Sequence, residues 1–244
     1  MESIMAKEKI YKITDPGKPA KSLIAMLKIA LILSLAAVLS GINELSILHK
    51  IKNQSYASQE ALEAAANRSD TIEMVIGCLQ LLLALFILIT FIRWMYRAAA
   101  NNHAWGIENI TQKPHWGWIN FIIPIWSLFK PYEFFREIWN AVEYDKANPE
   151  SWKKLAAPKC LKIWWACFII SSILGRASFR FGIKAETVDE LINLNHICLL
   201  NEFIDIAKNL ALIVLVAGIM SRQLEYCKKI NNSIQDGQTV PNAD

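Results

Sequence analysis

The chain has 244 residues, of which 54% are hydrophobic, with a net charge of +4 and a mean hydropathy of +0.25. That is too apolar for an ordinary soluble domain, and several apolar runs approach the ~20 residues that cross a bilayer as a helix. The small basic excess is spread along the chain with no compact patch of bases and stacking aromatics, so nucleic acid is excluded as an expected partner.

A single membrane domain over residues 22–230 is therefore expected, flanked by two cytoplasmic tails. Residues 1–21 carry Lys7, Lys9, Lys12, Lys18 and Lys21 around a Pro16-Gly17 turn. They show no cleavage-site pattern and read as a retained tail, not a signal peptide. Residues 23–42 form the first span, with Lys28 near its inner end, where the side-chain stem reaches the head groups. Residues 49–70 are polar and charge-balanced, with an Ala-rich piece suited to a short surface helix. Residues 71–92 form the second span, stopped by Arg93 and Arg97 on the side of the N-terminus, as the positive-inside rule requires.

The next apolar run, 116–128, decides the topology. It is too short to cross and contains Pro124. Lys113 precedes it, and Lys130, Arg136, Lys146, Lys153, Lys154, Lys159 and Lys162 follow it. A crossing here puts all of the following bases outside, against the charge rule, whereas a re-entrant or interfacial hairpin over 116–130 keeps them in the cytoplasm. Pro131 then opens a helix over 131–145, where a missing N–H costs nothing in the first turn. Phe134, Phe135, Ile138, Trp139 and Val142 share one face of it, and Glu133, Arg136, Glu137, Asn140 and Glu143 share the other. That pattern predicts an amphipathic helix along the inner membrane surface.

Residues 161–181 form the third span, with Arg176 and Arg180 near its outer end, and 183–195 read as a polar outer loop with a short helix. Residues 199–221 form the fourth span, closed inside by Arg222, Lys228 and Lys229. The tail over 231–244 has the composition of a disordered segment. The fold class is thus an all-α integral membrane protein with four transmembrane helices, a Pro-containing hairpin and an inner-surface helix. The 9 tryptophans all fall between Trp94 and Trp165, a stretch placed at the inner face, which suits a ring that is apolar but carries one N–H donor.

The residues in this stretch carry a resemblance. Trp94, Tyr96, Arg97 and Asn101 form the pattern W-x-Y-R-x-x-x-N. Pro114 and Trp116 follow, then Ile123-Pro124-Ile125, then Leu128-x-Lys130-Pro131-Tyr132, then Arg136-Glu137-Ile138-Trp139. Over residues 92–141 this block resembles a bacterial family of multipass membrane proteins, domain of unknown function 4328. The flanking spans match only in hydrophobicity and order. Two departures show: Ile119-Asn120 replaces a Gly-Trp pair usual before the first proline, and Ser127 stands where an Asn is usual after it. The resemblance implies only a fold and a bacterial cytoplasmic (inner) membrane location, since the family has no established activity; the bases and the even number of crossings put both termini inside.

Two constellations stand out. Arg93, Arg97 and Asn101 lie at i, i+4 and i+8 of one helix face. They are candidates to bind a lipid phosphate or to cap hairpin carbonyls freed by Pro124 and Pro131, the plainer reading being a stop-transfer cluster. Trp116, Lys130, Tyr132 and Trp139 join them as lipid-contact candidates. The second set lies in the outer half of the bundle: Glu73, Gln80, Arg176, Arg180, Glu202, Asp205, Lys208 and Asn209. Ionisable groups at that depth face one another or a watery cavity; complete pairing implies structural glue, and a leftover group implies a substrate or proton site.

No catalytic set, cofactor or metal centre is expected. The 5 cysteines form no CxxC pair and the 4 histidines form no i, i+4 pair, and no nucleophile elbow, P-loop or HExxH motif occurs. Three classes remain. The leading one is a non-catalytic membrane module that recognises lipid, anionic head groups included, or a protein partner or second copy through its aromatic, basic inner face. The second is a small transporter or channel using the outer polar cluster, and the third is a lipid-modifying enzyme.

Overall fold

The computed structural model describes residues 11–56 and 58–235, and within them all regular structure is helical. Six α-helices follow in order: α1 Gly17–Lys52, α2 Gln59–Ala104, α3 Trp116–Ile122, α4 Lys130–Asn140, α5 Lys159–Gly182 and α6 Val188–Gln235. Short 3-10 turns cover Trp126–Leu128, Ala141–Glu143 and Ser151–Lys154. Four helices, α1, α2, α5 and α6, are long and apolar enough to cross a membrane.

Each expected span lies inside one of these helices, but the helices run well past the apolar runs. α2 has 46 residues and takes in the Ala-rich piece that reads as a separate surface helix, and α6 has 48 and absorbs most of the expected outer loop. The reason is the absence of breakers. Neither helix contains a proline, and each holds a single glycine, Gly77 or Gly218, so nothing interrupts propagation once a turn has formed. The expected tail after residue 231 likewise begins as helix, to Gln235; residues 236–244, and Lys7 and Lys9 of the N-terminal tail, lie outside the described residues.

The chain divides into two compact units. The first comprises Thr90–Pro158 with the chain ends up to Ser22 and from Val216. Its core is aromatic: Trp94, Met95, Phe134, Phe135 and Ile138 are almost wholly buried. Trp94 stacks on Phe135 at 5.9 Å, and Phe134 meets Phe135 edge-on at 5.7 Å. Each such side chain contributes about 1.5–3 kcal/mol by leaving water. This corrects the reading of α4. Its apolar face is real, and Pro131 does sit in the first turn beside Glu133, but the face is covered by α2 and α3 and is not laid on a membrane. A second cluster joins Trp105, Ile107, Ala141 and Trp152, with Tyr226 against Trp105 at 4.9 Å. Buried amides lock the helices: Gln223 Nε2 donates to Ala98 O at 2.8 Å and to Asn102 Oδ1 at 3.0 Å, and Asn102 Nδ2 donates to Ile138 O at 3.3 Å.

The second unit comprises Leu23–Ile89 and Lys159–Leu215. Here α6 is the shared partner. It meets α1 through Asn195 and Glu44, α2 through Glu202 and Gln80, and α5 through Asp205 and Ser171. Large apolar side chains such as Ile32, Leu39, Leu81, Phe86, Ile173 and Val214 point outward, the arrangement of helices whose solvent is lipid.

Candidate functional site

In the first unit, the segment from Trp116 to Phe129 is built by Pro124 and the turn that follows it. α3 has only 7 residues, about 10 Å of helix. After Pro124 the chain reverses in a tight γ-turn centred on Ile125, whose φ is 68° and ψ −52°, with Trp126 N donating to Pro124 O at 2.8 Å. A β-branched residue at positive φ is an outlier, and strain of this kind is held only by surrounding structure. Ser127 N then donates to Ile123 O at 2.9 Å, and Phe129 N to Trp126 O at 3.0 Å. These carbonyls are thus satisfied within the hairpin itself.

That geometry reassigns the expected clamp. Asn101 is fully buried and turned to the N-terminal segment. Its Oδ1 accepts from Thr14 N at 2.9 Å and Thr14 Oγ1 at 3.2 Å, and its Nδ2 donates to Thr14 O at 3.0 Å. Arg93 and Arg97 are exposed and make no ion pair among the described residues. Trp139 serves packing: its ring lies against Gly218, where no Cβ would fit, and Arg222 stacks over it at 5.0 Å while its Nε donates to Trp139 O at 3.2 Å. Lys130 pairs with Glu133 at 2.7 Å, Pro131 is buried, and Tyr132 and Trp116 are half-buried. What the segment does present is apolar: Trp118, Ile122, Ile125, Trp126, Leu128 and Phe129 are all exposed, Ile125 at 73%, with exposed Lys113 before them and Arg136 after them in the chain.

The loop leading into α3 is held by Glu137, which accepts from Thr111 N and, at 2.7 Å, from Thr111 Oγ1. Burial pushes the Glu137 carboxyl above the usual carboxylate range, against the opposing pull of these hydrogen bonds and of His103.

In the second unit the outer polar set divides in three. Asp205 and Lys208 form an ion pair one turn apart on α6, and Ser171 Oγ donates to Asp205 at 2.6 Å. Arg176 and Arg180 are exposed on α5 and take no part in it, and Asn209 is half-buried on α6. The remaining groups gather in a cleft of about 210 Å³ between α1, α2 and α6. Glu44 and Glu73 face each other across it, Asn195 Nδ2 donates to Glu44 at 2.8 Å, and Gln80 Nε2 donates to Glu202 at 3.2 Å. Gly41 lets α6 approach here, since a Cβ at that position would stand 2.9 Å from Leu199 Cδ2.

Glu73, Gln80 and Glu202 are legible in the sequence as helical stripes; Glu44 and Asn195 are not. Glu44 stands two residues beyond the first apolar run, and Asn195 falls in a stretch that reads as loop. A lone acid just past an apolar run, with no base at i+3, is the one signal available for Glu44.

By class, this is an all-helical chain with four helices long and apolar enough to cross a bilayer, and it carries no group of three or more His, Cys, Asp or Glu fit to hold a metal among the described residues. The model of the family described as Domain of unknown function (DUF4328) matches residues 58–221, and the chain belongs to that family. No curated protein and no solved structure matches it.

Proposed function

We propose that the protein is a non-catalytic membrane module that holds anionic lipid with the hairpin of its first unit. The observation that carries this is the exposed run of Trp118, Ile122, Ile125, Trp126, Leu128 and Phe129, flanked by Lys113 and Arg136. An apolar patch rimmed by bases is the chemistry of a lipid contact: the side chains enter the acyl boundary and the bases meet phosphate. Arg136 carries the electrostatic part in preference to Lys130, because it is exposed and Lys130 is already engaged by Glu133. On this reading the hairpin and both termini lie on the cytoplasmic side of a bacterial inner membrane, as the distribution of bases supports.

The test is retention of lipid by the purified full chain, read by native mass spectrometry after exchange between phosphatidylglycerol and phosphatidylcholine. The intact protein is expected to keep phosphatidylglycerol, and Arg136→Ala with Lys113→Ala to lose most of it while melting normally. Equal retention of both lipids by the intact protein would sink the proposal. A second reading, a small transporter, is favoured by one observation, the acid-lined cleft of the second unit.

A further inference from the structure

The cleft between α1, α2 and α6 has an imbalance that its own residues do not correct. Asn195 is 6% exposed, and while its Nδ2 is used by Glu44, its Oδ1 has no partner among the described residues. Glu202 Oε2 is likewise buried and without a hydrogen-bond partner by geometry, although the Ser34 hydroxyl stands beside that carboxyl. Both atoms are acceptors, so what the cleft lacks is donors. Three carboxyl groups, Glu44, Glu73 and Glu202, line it, and no Lys, Arg or His does. Along α6, His196 is exposed with its Nδ1 bonded to Ile192 O, and the nearest lysine, Lys208, is held by Asp205 and Ser171. A missing partner that donates several hydrogen bonds beside three carboxyl groups is a cation bearing N–H groups.

We propose that this cleft binds a primary ammonium group, R–NH3+, against Asn195 Oδ1 and the carboxyls of Glu202 and Glu73. An ammonium has three donors and no acceptor, which fits a site whose unpartnered atoms are all acceptors. Charge-assisted bonds of this kind are stronger than neutral ones. The surroundings also fit the remainder of such a molecule, since Ala37, Ile76, Leu191 and Leu194 give the cleft an apolar wall for a short alkyl chain. A bare metal ion fits less well, because no three His, Cys, Asp or Glu side chains among the described residues stand at ligating geometry. The same chemistry has two sources, a soluble amine or the head group of phosphatidylethanolamine. The site is separate from the hairpin and does not rest on the lipid-contact reading.

The probe is n-butylammonium, titrated calorimetrically into the full chain in phosphatidylcholine nanodiscs. Saturable binding at one site is expected, weakened about tenfold or more by Glu202→Gln. Gly77→Leu serves as the second variant, because Gly77 lines the cleft and a Cβ there meets nothing within 4 Å, so bulk can be added at the cleft wall without a backbone clash. It is expected to abolish binding and leave the melting temperature unchanged or raised. Tetramethylammonium, which has no N–H to donate, is expected to bind at least about tenfold more weakly. In nanodiscs containing phosphatidylethanolamine, a loss of apparent affinity for n-butylammonium assigns the head group as the natural occupant, and an unchanged affinity assigns a soluble amine. Absence of saturable binding, binding that survives both variants, or equal binding of tetramethylammonium would overturn the proposal.

Discussion

Single residues show how far burial and pairing can be read before a structure is seen. Helical spacing placed Glu73 and Gln80 on one stripe and Glu202, Asp205 and Asn209 on another, and most of these do meet partners. Partner identity was not readable, because it depends on how far each helix has rotated about its axis. The acids do not take the arginines of α5; Asp205 takes Lys208 on its own helix, and Glu73 faces Glu44. Asp205→Ala is expected to lower stability by about 1–3 kcal/mol, since it leaves a half-buried ammonium and the Ser171 hydroxyl without their acceptor. Asp205→Asn should cost less, because an amide oxygen still accepts from Ser171. Thermal melting of the two variants in detergent, with Lys208→Met added to Asp205→Ala, checks this. A second substitution that gives no recovery would show that Lys208 is not the stranded partner.

At the scale of elements, hydropathy locates bilayer thickness and says little about helix length. Glu44 and Asn195 both lie beyond an apolar window but still on α1 and α6, so hydropathy does not mark them as it marks their neighbours. Periodicity has a matching blind spot. It identified the apolar face of α4, but an apolar stripe is the same whether its partner is lipid or the ring of Trp94. Pro124 marked a chain reversal, yet nothing in a β-branched Ile125 announces a positive φ. α4 also offers a pH test. Burial holds the Glu137 carboxyl above its ordinary range, so the folded chain keeps that proton to higher pH than the unfolded chain does. Between those two values the native state binds more protons, and stability from this group therefore falls as pH rises. Glu137→Gln, which can still accept from Thr111, is expected to flatten the decline in melting temperature as pH rises above the ordinary carboxylate range. A variant whose profile falls as steeply as the parent's would remove Glu137 from the account.

For the whole molecule, the family, the all-helical class and four helices fit to cross a membrane were legible in the sequence, because composition and the proline-centred motif fix them locally. The sidedness of the chain rests on the distribution of bases alone. It is also what the lipid-contact reading requires, since the hairpin must face the leaflet whose phosphates meet Arg136 and Lys113. Impermeant maleimide applied to intact cells tests it most directly, using a chain whose native cysteines are replaced by serine and which carries one new cysteine at a time. Ser55→Cys and Lys184→Cys, in the connections after α1 and α5, are expected to label from outside, and Ser127→Cys and Asn148→Cys to label only after the membrane is opened. Labelling of Asn148→Cys on intact cells would mean that the hairpin segment crosses, and the four-crossing account would be wrong.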